Sequence, residues 1–265
     1  KISKNLELKK KLVIKKILKK IIPDFLIQLR QDFILKKDLN KFSKMKAKEV
    51  FKEIYLKKLW SPDEVKKTYE FYSGIGSHYE EFTETYINEM KKFLLTFQTK
   101  PSVVDLGCGD FSIGSKLRKY CDKYIAADIF DQLINSNKDK YKNLDVDFRT
   151  LDITKDQLPN GEICFLRQVL QHLSNESIQN FLNLISGKYK YLIITEHLPQ
   201  SRNFIPNIDI ATGPYIRIIK NSGVELTEDP FNLKIINKKN ICNIYPKKIK
   251  GFKGILNTKI LQLYK

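Results

Sequence analysis

The sequence has few arginines, few cysteines and no long apolar stretch. Arginine accounts for six of its 48 basic residues, although nucleic-acid readers favour arginine for bidentate contacts to bases and phosphates. No apolar run approaches the roughly 20 residues that span a bilayer. The four cysteines are widely spaced and form no C-x-x-C pair: Cys108, Cys121, Cys164 and Cys242. We therefore expect a cytoplasmic protein without a disulfide framework or zinc site, for which nucleic acid is an unfavoured partner.

Lysine is abundant instead, and it is concentrated in the N-terminal quarter. The net charge is +18, and residues 1–60 hold 19 basic and 6 acidic side chains, against 29 and 24 in the other 205. The codon bias of an AT-rich genome would produce this excess without functional pressure, and a selected site for a polyanion is the alternative. Hydrophobic residues make up 42% of the chain, which is enough to bury a sizeable core.

Residues 6–22 have the pattern of an amphipathic helix, and Pro23 ends it. Such a helix either lies in the headgroup region of an anionic membrane or packs its apolar face on the rest of the protein. We predict a basic helical arm over residues 1–60, and both placements stay open. The first placement makes the protein peripheral on the inner face of the membrane.

A helical lid is predicted over residues 61–99. Ser61-Pro62-Asp63-Glu64 has the side chains of a helix N-cap followed by a capping-box glutamate. A longer helix is predicted after Ser73-Gly74-Ile75-Gly76-Ser77, with its apolar residues on one face: Phe82, Tyr86, Met90, Phe93, Leu94 and Phe97. The two glycines fit either a hinge that brings Ser73 and Ser77 to a substrate or a plain turn between helices.

From residue 100 the pattern changes to alternating strands and helices. Short apolar runs predict buried strands at Ser102–Leu106, Tyr124–Ala127, Ile163–Leu166 and Tyr191–Thr195, with a last strand at Thr258–Tyr264. Ser174 is placed to cap the helix that joins two of these strands. Such alternation predicts an α/β fold with a parallel sheet covered by helices.

The strongest functional signal is the turn after the first strand, Asp105-Leu106-Gly107-Cys108-Gly109. Its glycines let the backbone turn sharply and approach a ligand. The second strand ends at Asp128, where doubly wound folds place an acid that bonds the ribose hydroxyls of an adenosine cofactor. Asp152 follows a further run, Val146–Arg149, which is third in chain order, and is predicted to accept a hydrogen bond from an adenine amino group.

These residues resemble the class I S-adenosylmethionine-dependent methyltransferases over roughly residues 100–200. The turn matches their first motif, Asp128 their ribose-binding acid, and Asp152-Ile153 their adenine-facing position. The resemblance implies a Rossmann-like seven-stranded sheet with an antiparallel last strand, in a domain over residues 100–265 that binds S-adenosyl-L-methionine. The implied cofactor-binding residues are Asp105, Gly107, Cys108, Gly109, Asp128, Ile129, Asp152, Ile153 and Arg167. The dinucleotide-binding pattern is Gly-x-Gly-x-x-Gly, and Ser112 stands at the position of its third glycine. This departure favours S-adenosyl-L-methionine over NAD.

A narrower resemblance comes from Gly109-Asp110-Phe111, Arg167–Ser174 and Thr195-Glu196-His197. These stretches are similar to methyltransferases from bacterial capsule and surface-glycan gene clusters. That similarity implies O-methylation of a sugar, a nucleotide sugar or a phosphoryl decoration. The Asn-Pro-Pro-Tyr signature of many base and amide methyltransferases is absent after the fourth strand, which argues against N-methylation of a base.

Methyl transfer to a hydroxyl needs a group that removes the hydroxyl proton. Of the three histidines, His172 follows the fourth strand and His197 the fifth, at the edge where ligands sit in open α/β sheets. Their ordinary pKa of about 6.5 suits a general base, so both are catalytic candidates, although each also fits a structural role. Candidates for contacting the acceptor are Gln168, Glu196, Asp209 and Arg217. We predict no metal site.

Two other functions stay open. The first is an RNA methyltransferase that uses the basic segment for phosphate contacts, which steep salt dependence of RNA binding would favour. The second is a non-catalytic protein of the same fold that binds another subunit through its helical arm. Cofactor binding without turnover would favour this second function.

The membrane placement of residues 6–22 makes a testable prediction. Flotation with anionic vesicles should recover the full chain but not a chain that begins at Ser61, because the arm supplies both the lysines and the apolar face that bind. Equal recovery of the two chains, or of neither, contradicts membrane contact and leaves the packed helix.

Overall fold

The structure is a computed structural model that describes residues 33, 35–201, 203–246 and 254–264. One compact unit ends at Lys44, and a second spans Met45–Lys265. In the first unit residues 35–42 are helical and Phe42 is buried. The helix predicted over residues 6–22 lies outside the described residues. Within those that are described, no helix has both the length and the apolar character needed to cross a membrane.

The second unit is built on a sheet that has seven strands within the described residues, in the order β3-β2-β1-β4-β5-β7-β6. The strands are β1 Val103–Leu106, β2 Tyr124–Asp128, β3 Asp147–Thr150, β4 Ile163–Arg167, β5 Tyr191–Leu198, β6 Ile235–Ile244 and β7 Ile255–Leu263. Strands β1 to β5 pair in parallel, whereas β7 runs antiparallel to both β5 and β6. This confirms the predicted α/β sheet with an antiparallel last strand.

Alternate residues of the central strands enter opposite apolar layers, as the period of two in a strand requires. In β1, Val104 and Leu106 belong to one layer and Val103 to the other. Because both faces are buried, these strands consist almost wholly of apolar residues. Because β1 to β5 are parallel, their carboxyl ends meet at one edge of the sheet. The polar residues of the sequence motifs lie at that edge.

Helices cover both faces of the sheet. They are α1 Ala47–Leu56, α2 Ile75–His78, α3 Glu80–Leu94, α4 Gly114–Leu117, α5 Asp131–Lys140 and α6 Asn175–Leu184. The predicted apolar face of α3 is confirmed, since Phe82, Tyr86, Met90 and Leu94 are buried. After the glycine turn, α4 gives way to a 3₁₀ turn at Arg118–Tyr120.

The helix predicted to begin at Ser61 is wrong. Residues 63–68 form turns, in which Val65 bonds to the carbonyl of Pro62. The Lys58 ammonium donates to the carbonyls of Lys66 and Tyr69, at 2.7 Å each. A side chain from an earlier segment thus takes carbonyl groups that a continuing helix would use internally.

The predicted cap of α6 is confirmed and can be tested. The Ser174 hydroxyl accepts the Ser177 N–H at 3.2 Å. Replacing Ser174 by Ala should lower the free energy of unfolding by about 1 kcal/mol, measured by urea denaturation, because a helix N-terminal N–H loses its acceptor. Gln179→Ala, on the exposed side of the same helix, is the control and should stay within about 0.5 kcal/mol of the parent. Equal losses in the two variants would contradict the capping role.

Candidate active site

A cavity of about 440 Å³ lies where the parallel strands end. It is lined by the ends of β1 to β5, by α1, by the segment 73–77 and by the loop 214–219. The predicted site residues that it brings together are Ser73, Ser77, Asp105, Gly107, Cys108, Gly109, Asp128, Ile129, Asp152, Ile153, Arg167, Gln168, His172 and His197. Glu196, Asp209 and Arg217 do not line it.

Gly109 lies where the glycine turn contacts residues 73–77, which we call the lid segment. Its φ is +56°, a backbone conformation that favours glycine, and a Cβ there would overlap the Ser73 hydroxyl. That hydroxyl accepts the Asp110 N–H at 2.6 Å. The turn therefore needs glycine both for its conformation and for the contact that holds the lid segment over the cavity.

Asp110 fastens the lid segment from the other side. Its carboxylate accepts the Ser73 N–H at 3.2 Å and lies 2.5 Å from Nε2 of His78. The His78 ring stacks on Tyr72, with ring centroids 4.1 Å apart. Burial raises the pKa of Asp110, but the bonds with His78 and Ser112 outweigh it and bring the pKa below its ordinary value. A charged carboxylate thus anchors the lid segment to the glycine turn.

Asp128 is buried at the end of β2. Its two oxygens accept the Gly109 N–H at 3.1 Å and the Phe130 N–H at 3.3 Å. Burial raises the pKa of Asp128 to about 6, against the effect of these backbone bonds. Burial also raises the pKa of Asp105 to about 7, although Tyr124 donates to it at 2.9 Å. A ligand that brings hydroxyl donors or positive charge would stabilise the ionised form of both groups.

Arg167 ends β4 beneath the lid segment. One terminal nitrogen donates to the Gly76 carbonyl at 2.6 Å, and the guanidinium lies 4.9 Å from the centre of the Tyr86 ring. Its Nε is buried and has no hydrogen-bond partner among the described residues. Because an unsatisfied buried donor is costly, this side chain is suited to an anionic group of a ligand.

His172 lies in a 3₁₀ turn after β4, at Leu170–His172. Its ring packs against the indole of Trp60, with centroids 4.7 Å apart, and the indole N–H donates to the Pro214 carbonyl at 3.2 Å. Burial lowers the pKa of His172 to about 4, with smaller contributions from Arg217 and His197, while bonds with the backbone of Tyr215 and Gly213 oppose the shift. The ring is therefore neutral across the physiological range.

His197 lies one strand over, near the end of β5. Its backbone N–H donates to the side-chain oxygen of Gln171 at 3.0 Å. Gly254 approaches its ring so closely that a Cβ there would lie 2.8 Å from the ring Nε2. Both candidate histidines thus reach the cavity from neighbouring parallel strands.

Glu196 and Arg217 lie behind His172 rather than in the cavity. Glu196 accepts the backbone N–H groups of Leu170 and Gln171, at 3.1 and 2.9 Å. Arg217 is fully buried and donates to the carbonyls of Leu170 and Leu173, at 3.0 and 2.8 Å. Burial raises the pKa of Glu196 to about 8, against the effect of these backbone bonds and of Arg217. The two side chains hold the loop that carries His172.

Asp209 lies elsewhere and has a local role. Its carboxylate accepts the Asn175 N–H at 2.7 Å, at the start of α6. It is exposed, and the described residues contain no group of three or more His, Cys, Asp or Glu side chains that could hold a metal ion.

Sequence reasoning missed the aromatic side of the cavity. Phe51 and Tyr55 of α1 and the indole of Trp60 line it, and the Tyr55 ring stacks on Phe130 at 5.5 Å. A helix within a lysine-rich stretch gives no local signal that it will cover a cavity whose lining extends as far as Ile219. Trp60 is the chain's one tryptophan, and this rarity is the only sequence feature that indicates a special role for it. Gln171 also lines the cavity, and the sequence pattern does not distinguish it as a functional residue.

Comparison with known proteins gives structural matches only. No protein-family model matches the sequence, and a search of curated proteins finds no match either. The N-methyltransferase NodS from Bradyrhizobium japonicum WM9, solved with S-adenosyl-L-homocysteine, is similar with a TM-score of 0.54 and 11% identity, covering 78% of this chain and 96% of that one. Magnesium protoporphyrin IX methyltransferase (ChlM) from Synechocystis PCC 6803, with bound SAH, is similar with a TM-score of 0.51 and 13% identity. The match covers 82% of this chain and 100% of that one.

A third similar structure is the DhpI–SAH complex, with a TM-score of 0.50 and 14% identity, covering 72% of this chain and 90% of that one. At such identities the likeness concerns the fold. The strand order and its antiparallel last strand agree with it. The chain therefore has the seven-stranded α/β fold of the class I methyltransferases.

Proposed function

We propose that this protein transfers the methyl group of S-adenosyl-L-methionine to a hydroxyl group of a sugar, a nucleotide sugar or another decoration of a bacterial surface glycan. The observation that carries the proposal is the cavity, which joins the glycine turn, Asp128 and Asp152 to two histidines. The fold of the similar methyltransferases supports the reaction class. The glycan acceptor rests on the sequence resemblance.

The cavity residues fit the proposed cofactor. Asp128 has carboxylate lone pairs beyond those used by Gly109 and Phe130, which suits it to the ribose hydroxyls. The side chains of Ile129 and Ile153 flank Asp152 in the lining and offer an apolar setting for adenine. The unpartnered Nε of Arg167 would bond the carboxylate of the methionine part.

S-adenosyl-L-methionine supplies a methyl group on a sulfonium sulfur, so a C–O bond forms, the S–CH₃ bond breaks and the hydroxyl proton leaves. The protein's own contribution is to exclude water, align the acceptor and take that proton. His172 is neutral at physiological pH, so its ring can accept a proton. The aromatic surface of Trp60, packed on His172, suits the apolar face of a ring-shaped acceptor.

The cellular location is proposed on the sequence alone. A cytoplasmic protein with its basic arm against the inner face of the membrane would meet lipid-linked glycan precursors there. The small-molecule or glycan acceptor is the proposed partner, and nucleic acid is disfavoured by the scarcity of arginine.

Loss of the Asp128 carboxylate tests cofactor binding. Asp128→Ala should weaken binding of S-adenosylhomocysteine at least tenfold, because a charge-assisted bond to the ribose hydroxyls contributes about 1.5–3 kcal/mol. Calorimetric titration of the folded variant measures the dissociation constant. Asp139→Ala removes an exposed carboxylate from α5 and should leave the affinity unchanged. Equal affinity of the two variants would contradict the ribose role.

Removal of each histidine tests proton transfer. His172→Ala should lower turnover roughly 10²–10⁴-fold, as loss of a general base does, with little change in affinity for S-adenosylhomocysteine. Turnover is measured as S-adenosylhomocysteine released with a panel of methyl glycosides. A loss confined to His197→Ala would assign the base to His197. A His172→Ala variant with a lower melting temperature and full activity would show that His172 has a structural role.

The pH profile gives an independent check. A base works only while unprotonated, and the pKa of about 4 leaves His172 unprotonated at neutral pH. The rate should therefore stay level from about pH 8 down to about pH 5 and fall only as the pH approaches 4. An inflection near the ordinary histidine pKa of about 6.5 would contradict His172 as the base.

A further inference from the structure

One side chain joins the two histidines of the cavity. Gln171 is 5% exposed. Its side-chain oxygen accepts the His197 backbone N–H at 3.0 Å, and its side-chain nitrogen lies 3.3 Å from Nε2 of His172. The inference drawn from this bridge rests on the proposed function, because it concerns the base of the proposed reaction.

The bridge can be oriented in only one way. A backbone N–H is a donor, so the Gln171 atom that faces His197 must be the oxygen. The amide nitrogen consequently faces His172. Since an amide NH₂ group only donates, Nε2 of His172 must be the acceptor, and the ring proton must be on Nδ1.

We propose that Gln171 is a positioning residue that keeps the proton of His172 on Nδ1 and the lone pair on Nε2, ready to accept the proton of the acceptor hydroxyl. The separation of 3.3 Å is long for a hydrogen bond. An acceptor hydroxyl can therefore replace the amide as donor at little cost.

Surrounding groups fix the bridge in place. Glu196 accepts the backbone N–H of Gln171 at 2.9 Å, and the Trp60 indole, packed on His172, opposes a flip of the ring. Nδ1 of His172 is buried and has no hydrogen-bond partner among the described residues. Gln171, at Nε2, is the side chain that distinguishes the two ring nitrogens.

The charged and titratable groups around His172 lie on β5 and on the segment that follows it. Arg217, from the loop after β5, and His197, from β5, both disfavour a charged ring. Glu196, on β5, is committed to Leu170 and Gln171 and faces Arg217. A carboxylate placed at position 171 would have the opposite effect, because both of its oxygens can only accept and would draw a proton onto Nε2.

Gln171→Glu is thus a nearly isosteric test of the tautomer. The chain has three histidines, so isotope-labelled ring nitrogens can be followed by NMR, with the His172 signals identified as those missing from His172→Ala. In the parent protein we expect Nδ1 protonated and Nε2 bare at neutral pH. In Gln171→Glu we expect Nε2 protonated and a titration midpoint about 1–3 pH units higher, as an adjacent opposite charge produces.

Two further variants control for charge and volume. Gln179→Glu makes the same charge change at an exposed position of α6 and should leave the His172 signals and the turnover unchanged. Gln171→Met keeps the volume but removes the amide, and it should give a mixture of tautomers at neutral pH.

Turnover distinguishes positioning from mere packing. Gln171→Glu should lose turnover from about pH 5 to about pH 8, because its charged ring and its neutral ring both carry a proton on Nε2. Its affinity for S-adenosylhomocysteine should be unchanged. A proton on Nε2 of His172 in the parent protein overturns the proposal, whether or not the Gln171 variants fold. An unchanged pH profile in folded Gln171→Glu overturns it as well. Failure of the parent to methylate any glycoside would count against the proposed function alone, because the NMR measurement needs no turnover.

Discussion

The bonds around Gly109 are the constraint on which the rest of the site depends. Its N–H is held by Asp128 of β2, and its carbonyl accepts from Asn137 of α5 at 2.7 Å. The next residue, Asp110, binds the lid segment through Ser73. A strand end, a helix and the lid segment are thus fixed to one turn. A side chain at Gly109 would disturb all three together, since it would overlap Ser73 in a backbone conformation that favours glycine.

The same edge of the sheet concentrates buried ionisable side chains, and the protein satisfies them with backbone groups. Asp128 and Glu196 accept backbone N–H groups, while Arg167 and Arg217 donate to backbone carbonyls. Such bonds offset part of the cost of removing charged groups from water. The same bonds also hold the loops that carry the site residues, so the buried polar groups make the site more rigid.

The cavity is divided by the chemistry of its lining. Tyr55 of α1 lies beside the glycine turn and Asp128, whereas the Trp60 indole packs on His172. A donor-rich ligand fits the surroundings of Asp128, and a ring-shaped acceptor fits the surroundings of Trp60. The glutamine bridge lies between the histidines, where the two ligands of the proposed reaction would meet.

The sequence by itself determined the sheet, the glycine turn and the acids that follow the strands. Their signals are local: apolar runs for strands buried on both faces, glycine for a tight turn, and Ser174 for a helix start. Tertiary structure decided the rest. Lys58 donates to the carbonyls of Lys66 and Tyr69 where turns replace the helix predicted at Ser61, α1 covers a cavity distant in sequence, and Arg217 reaches back to Leu170. These outcomes depend on contacts between distant segments, and no local pattern of residue types contains that information.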